Sequence, residues 1–244
     1  MVKYVSDQTG RFSQRPHYLP KELDRECESA IVDFLKEQNG EARFPVTTDD
    51  LTRMIERDTD DLDLYADLSG FGPTVEGLTE FRPGQKPFVK ISAELSEDER
   101  RQNRLRTTLT HEWGHVRFHA YLWDLEPPRP DLLAHSPDAT RQICKRETII
   151  NAKQTDWMEW QAGYVCGAVL MPLTRLQRLV GSYQEAQGLY GSLDAQSAHA
   201  TRLIAEVQEA FGVSAEAARI RLLKLGLIGR ADAGPSLFDL KPAA

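Results

Sequence analysis

The sequence is poor in cysteine and has no long apolar run. Its 244 residues include three cysteines, Cys27, Cys144 and Cys166, which lie far apart and form no CxxC pair. This spacing excludes a disulfide framework and a cysteine-based zinc finger, and it fits reduced thiols. No stretch approaches the roughly 18 apolar residues of a membrane span, and the N-terminal residues lack the apolar core of a signal peptide. We therefore expect a cytoplasmic protein without membrane segments.

Positive charge is also in short supply. The chain carries 30 Lys and Arg against 37 Asp and Glu, which gives a formal net charge of −7. An acidic chain is a poor candidate for a general nucleic-acid coat or a polybasic membrane binder, because both need an excess of cations. Glycine and proline occur in ordinary numbers and 41% of the residues are hydrophobic, which excludes collagen-like and disordered classes. The composition is that of a globular protein with a sizeable core.

Apolar periodicity and capping residues predict a mostly helical chain with a small sheet. Helices are expected over 21–38, from Thr48 to Ile55, over 97–123 after a Ser96/Glu99 capping box, and over 156–171, 174–187, 194–211 and 214–225. A strand is expected at 61–68, and the Pro83-Gly84 turn predicts a hairpin over 77–92. Residues 126–155 read as loop-rich, with one short helix around 139–150.

One short motif carries most of the chemical information. Residues 111–115 read His-Glu-Trp-Gly-His, so two histidines stand four positions apart in a predicted helix. Such histidines lie one turn apart on one helix face, and their imidazoles can bind the same Zn²⁺. Glu112 points away from the metal itself, where it can act as general base on water that the metal activates.

The segment before this helix supports a peptidase interpretation. An extended apolar stretch at 87–91 precedes the motif helix, and zincin proteases place an edge strand beside the metal helix to hold the substrate backbone. The competing interpretation is a pair of histidines on a helix face next to a solvent-exposed glutamate.

The third metal ligand has to come from outside the motif. His119 shares a helix face with His111 but lies about 12 Å from it along the axis, so it is predicted to pack beside the site. Tyr121 stands where metzincins carry their third histidine. The remaining candidates are downstream carboxylates: Glu147, Asp156 and Glu159. Glu159 is best placed, because it lies in the most apolar helix, where a carboxylate is costly to bury unless it is paired or bound to metal.

Three blocks, in this order, resemble the ImmA/IrrE family of bacterial metallopeptidases: THEWGHVRFH at 110–119, EWQAGYVCGAVLMP at 159–172 and FGVSAEAARIRLLKLGLI at 211–228. The resemblance covers about residues 75–228. It implies a Zn²⁺ held by His111, His115 and Glu159, with Glu112 as the catalytic base. It also implies a protein substrate, a helix-turn-helix transcriptional repressor whose cleavage relieves repression. The stretch between His115 and Glu159 is longer than the family pattern.

These observations predict an α+β fold: a mostly helical zincin-like metallopeptidase domain with a small β-sheet, followed by a C-terminal helical module. We expect the following parts: a flexible N-terminal arm over 1–20, the metallopeptidase domain over 21–190 with an insert at 124–155, the helical module over 191–228, and a flexible tail over 229–244.

The C-terminal helices allow a second hypothesis of a different class. Residues 194–228 have the order of a helix-turn-helix, and Ser214 can cap the second helix. Basic residues barely outnumber acidic ones over 200–230, so direct DNA binding is a weaker prediction than a helical support or partner-docking module. The alternative function is a DNA- or partner-binding regulator in which the zinc site is only structural.

Cys144 lies in a polar stretch of the insert. Lys145 and Arg146 follow it, and their positive charges would lower the pKa of its thiol and favour oxidant sensing. An ordinary free thiol is the default interpretation.

Overall fold

The computed structural model describes residues 2–125, 141–145 and 156–229. The helices are α1 Pro20–Asn39, α2 Thr48–Asp58, α3 Ala93–Ser96, α4 Gln102–His119, α5 Leu122–Leu125, α6 Trp157–Leu170, α7 Leu173–Gln187, α8 Ala198–Phe211 and α9 Ala215–Lys224. The strands are β1 Lys3–Ser6, β2 Gln14–His17, β3 Asp61–Ala66, β4 Val75–Glu80, β5 Phe88–Ser92, β6 Arg141–Lys145, β7 Leu193–Asp194 and β8 Ile228–Gly229. This architecture confirms the predicted α+β class. None of the described helices is both long enough and apolar enough to cross a membrane.

The main sheet has four strands in the order β3-β5-β4-β6. β4 and β5 form the predicted antiparallel hairpin, with Gly84 at a positive φ of 72° in the turn. β5, which contains most of the apolar stretch at 87–91, is paired on both sides, by β3 and by β4. It is therefore an inner strand, as β4 is, and β6 is the edge strand on the β4 side of the sheet.

The prediction of a short helix around 139–150 is wrong for residues 141–145, which are the residues that the structure describes there. Residues 141–145 form β6, which pairs antiparallel with β4. A five-residue polar strand carries little local signal, because its main-chain hydrogen bonds come from a partner more than 60 residues away in the chain. The remaining residues of the predicted loop-rich stretch lie outside the described residues.

The N-terminal residues, expected to be irregular, contain a β-hairpin formed by β1 and β2. Phe12 in its turn is buried against Trp123, with the ring centroids 4.9 Å apart. Trp157 joins the same small apolar cluster. These aromatic contacts link residues far apart in sequence, so the polar composition of residues 1–20 gave no sign of them.

One long helix is expected over 97–123, but the main helix of this region, α4, covers only Gln102–His119. A 3-10 turn over Glu99–Arg101, capped by Asp98, separates α3 from α4. The Ser96/Glu99 capping box is not formed, since Ser96 is the last residue of α3. In α2 the capping residue is Thr47, one position before the predicted one, and its side chain accepts a hydrogen bond from the Asp50 amide.

The main hydrophobic core lies among the long helices. It is built from buried side chains of α1, α2, α4 and α6 to α9 together with β5. Val207 and Leu222 of the C-terminal helices are fully buried in this same core. The elements that carry the motif therefore pack in the centre of a continuous apolar interior.

Candidate metal centre

Two central helices bring the predicted site residues together. α4 carries the His-Glu-Trp-Gly-His motif and α6 carries Glu159. Gly114 of α4 faces Ala162 of α6, and a Cβ at position 114 would lie 3.1 Å from the Ala162 Cα. A glycine at this position lets the two helix backbones approach closely, which places Glu159 opposite the histidine face of α4.

Three donor atoms converge between the helices. The Nε2 atoms of His111 and His115 are 3.1 Å apart, and they lie 3.1 and 3.2 Å from the two carboxylate oxygens of Glu159. Metal bonds of about 2.0–2.1 Å in a tetrahedral arrangement would place neighbouring donor atoms about 3.3 Å apart. All three side chains are buried. Two imidazoles and one carboxylate at these separations fit a metal ion.

The charge balance of this group is also that of a cation site. Burial alone would raise the pKa of the Glu159 carboxyl, but the charges of His115 and His111 and their hydrogen bonds hold it well below its ordinary value. The carboxylate is thus kept ionised next to the two histidines, and an ionised carboxylate is the form that binds metal.

Glu112 turns toward the sheet, away from the three converging donors. Thr79 of β4 donates a hydrogen bond of 2.6 Å to Glu112 Oε2. Gly77, two residues earlier on the same strand, has no side chain there, and a Cβ at that position would overlap Glu112 Oε1. Burial raises the pKa of Glu112, although the neighbouring charges of His111 and His115 act in the opposite direction. β4 therefore forms a close-fitting slot for this carboxylate.

A chain of polar contacts holds the His115 ring from behind. Its Nδ1 atom lies 3.0 Å from Nδ1 of His119, and Nε2 of His119 lies 3.0 Å from Oε1 of Gln161. Gln161 in turn donates to the carbonyl oxygen of Pro16 in β2. The structure thus places His119 beside the site and not in it. The contact of Gln161 with Pro16 connects this row of polar side chains to the N-terminal hairpin.

β6 contributes two side chains that the sequence reasoning missed. Gln142 donates a hydrogen bond of 2.6 Å to Glu159 Oε1 and accepts one of 2.6 Å from Arg11. Cys144 is fully buried, and its sulfur lies within 4.8 Å of a ring nitrogen of His111 and a carboxylate oxygen of Glu112. The only sequence signal is that Gln142 and Cys144 are two positions apart, so that they lie on the same face if the segment is a strand.

A lowered pKa of the Cys144 thiol, the less favoured of the two interpretations from sequence, is wrong. Burial raises this pKa well above the ordinary thiol value, and the carboxylates of Glu112 and Glu159 raise it further. The thiol points into a buried acidic site, and the charges of that site act on its pKa.

The alternative third ligands are placed differently. Glu147 lies outside the described residues. Asp156 is the residue immediately before α6. Of the three candidates, the one whose oxygen atoms meet both motif histidines in the described part of the chain is Glu159.

A known family matches the part of the chain that contains this centre. The family described as Peptidase_M78, IrrE N-terminal-like domain, matches residues 71–223. The matched range contains β4, α4, β6 and α6, and so every residue that lines the centre. A search of curated proteins found no match to the chain.

Proposed function

Because this chain belongs to the Peptidase_M78 family, the IrrE N-terminal-like domain, we propose that it is a zinc-dependent endopeptidase. The observation that carries the proposal is the mutual 3.1–3.2 Å separation of the His111, His115 and Glu159 donor atoms. A carboxylate oxygen of Glu112 lies within 4.8 Å of a ring nitrogen of His111. Two histidines and one glutamate are a donor set of catalytic zinc sites.

His111, His115 and Glu159 would hold the zinc ion. When bound, the ion supplies Lewis-acid chemistry, which polarises the scissile carbonyl group and makes water more acidic. Gln142 and His119 orient two of these side chains through hydrogen-bond contacts with Glu159 and His115. Such supporting contacts fix the ring and carboxylate orientations before substrate arrives.

Glu112 would move the proton. It accepts a proton from the attacking water and gives it to the amine that leaves when the peptide bond breaks. Burial raises the pKa of this carboxyl group, which makes it a stronger proton acceptor than an exposed glutamate. The hydroxyl of Thr79 holds one carboxylate oxygen in place, and the other oxygen lies against Gly77.

The proposed substrate is a helix-turn-helix transcriptional repressor. The support is the resemblance of the three sequence blocks to a family in which that activity is known. The net charge of −7 agrees with it, because an acidic enzyme attracts a basic DNA-binding partner by electrostatic steering. We expect cleavage at one site in such a repressor, with general substrates such as casein left largely intact.

The test compares Glu112→Gln with the exposed control Glu97→Gln. Glutamine keeps the shape of the side chain but cannot accept the proton. Cleavage of a helix-turn-helix repressor encoded by a neighbouring gene, called here the neighbouring repressor, should therefore fall by about 10²–10⁴-fold. Zinc content, measured by plasma mass spectrometry, should be unchanged in both variants. Substantial cleavage by pure Glu112→Gln protein would contradict the assigned base. Zinc binding without cleavage of either the repressor or casein would favour the structural-zinc regulator.

A further inference from the structure

The outer edge of β4, which is its side away from β5, runs beside the metal centre. Gly77 and Thr79 of this strand both face Glu112. A peptide that is cleaved at this centre has to lie beside Glu112, and an extended peptide binds most readily by pairing with an exposed strand edge. In this structure that edge is already occupied by β6.

β6 pairs with β4 as an added peptide would. The two strands are antiparallel, with Cys144 opposite Gly77 and Gln142 opposite Thr79. The register is interrupted between Val75 and Gly77. Bulges of this kind occur often beside active sites, where they change the direction of a strand.

The side chains of β6 fill the space around the centre. On the face turned to α4 and α6, Gln142 contacts Glu159, and Cys144 lies next to His111 and Glu112. On the opposite face, Ile143 packs on the apolar cluster that includes Leu78. β6 therefore packs against the rest of the protein through both of its faces.

The centre is closed to solvent in this structure. His111, Glu112, His115 and Cys144 are each 0% exposed. Oε1 of Glu112 is also buried, and no nitrogen or oxygen donor of the described residues reaches it. A substrate carbonyl and a water molecule need the space beside this oxygen, which Cys144 now borders.

On the basis of the proposed function, we propose that β6 is a resident substrate mimic: it occupies the β4 edge with Cys144 at the reaction centre, and the substrate strand takes its place. The exchange conserves main-chain pairing, because an incoming antiparallel strand forms the same type of hydrogen bonds with β4 that β6 gives up. The enzyme is therefore latent for the fraction of time that β6 stays paired.

A reversible covalent lock tests this proposal. Glu80 and Arg141 are cross-strand partners and form an ion pair of 3.3 Å. Paired Cα atoms of antiparallel strands lie about 4.5–5.5 Å apart, within the roughly 4.4–6.8 Å that a disulfide spans. In the zinc-loaded double variant Glu80→Cys/Arg141→Cys, oxidation should hold β6 on β4, and reduction should release it.

The locked protein should cleave the neighbouring repressor at least about tenfold more slowly than the same protein after reduction. The single variant Glu80→Cys is the control, and its rate should not respond to oxidation. Equal rates in the locked and reduced forms, with the disulfide confirmed by mass spectrometry, would overturn the proposal. If the wild type cleaves neither the repressor nor casein, the proposed function fails instead.

Thiol labelling tests the release of β6 without any need for activity. Cys27 and Cys166 are buried in the main core, so in the zinc-loaded wild type they react with iodoacetamide only when the protein unfolds globally. Cys144 should react at least about tenfold faster than both, since it is exposed whenever β6 leaves. Labelling of all three cysteines at one common slow rate would show that β6 does not leave, and would overturn the proposal.

Discussion

Glu112 lies in a narrow slot that has room for its carboxylate only because residue 77 is a glycine. The slot is closed on one side by α4 and on the other by β4, where Thr79 donates to one carboxylate oxygen and Gly77 leaves room for the other. Burial raises the pKa of this carboxyl. Its position and its basicity both come from the fit against β4.

Filling this slot should impair catalysis while leaving the metal bound. In Gly77→Ala the new Cβ would overlap Glu112 Oε1, so the carboxylate has to move and kcat should fall roughly 10- to 100-fold. Zinc content should stay at the wild-type level, because Gly77 touches none of the three proposed ligands. Gly70→Ala is the matched control, since a Cβ there meets nothing within 4 Å. Unchanged kcat in Gly77→Ala would contradict the assigned role of the slot.

Each of the three converging side chains should be needed for metal binding. His111→Ala, His115→Ala and Glu159→Ala should each lose the zinc that the wild type carries, at about one ion per chain. The exposed His17→Ala serves as control for the loss of a histidine. The measurement is plasma mass spectrometry on protein dialysed against chelator. Wild-type zinc retention by Glu159→Ala would show that the third ligand is a different residue.

At the scale of elements, the contact between α4 and α6 sets the geometry of the centre. The helices touch where Gly114 meets Ala162, and Val165 lies equally close to the same position. Since the histidines are on one helix and Glu159 on the other, any increase in the helix separation moves the carboxylate away from both imidazoles.

Adding one methyl group at this contact should weaken the metal site. Gly114→Ala should destabilise the protein by about 1–3 kcal/mol through overpacking and lower its zinc affinity by about tenfold or more. Gly181→Ala on α7 is the control: a Cβ there meets nothing within 4 Å, so this helix should gain about 0.5–1 kcal/mol. Urea unfolding and a zinc-chelator competition measure the two effects. Equal stability and affinity in both variants would contradict the close approach.

For the molecule as a whole, buried polar contacts tie the C-terminal helices to the rest of the chain. Arg221 of α9 forms a fully buried ion pair of 2.5 Å with Asp24 of α1, and Tyr164 of α6 donates to the same carboxylate. Arg106 of α4 donates to the carbonyl of Phe211 at the end of α8. Arg221 is therefore unavailable to DNA, which further reduces the basic face of the predicted helix-turn-helix.

Breaking the central ion pair should destabilise the entire protein in one transition. Arg221→Ala leaves the Asp24 carboxylate buried without its partner, which should cost about 3–5 kcal/mol. Arg219→Ala, two positions away on the exposed face of α9, should change stability by no more than about 0.5 kcal/mol. Thermal unfolding followed by circular dichroism should show a single transition at a lower Tm for Arg221→Ala. A separate early transition would instead show that α8 and α9 unfold independently.

The local features could be predicted from residues that are close together in the sequence. The two motif histidines share a face because four positions complete one helical turn. The β4–β5 hairpin and the Ser214 cap of α9 are confirmed, since a turn or a cap depends on residues only a few positions apart. Glu159 could be singled out because a carboxylate in a strongly apolar helix needs a compensating partner.

The surroundings of these features could not be predicted, because they depend on contacts between distant parts of the chain. The pairing of β6 with β4, the seat of the N-terminal hairpin behind His115 and the inner position of β5 all join residues that are distant in the chain. The pKa of Cys144 changes in the opposite direction to the one that its sequence neighbours suggest. The physical reason is the same in each case: strand pairing, burial and the charges across a packed interior outweigh local composition, and they come into existence only when the chain has folded.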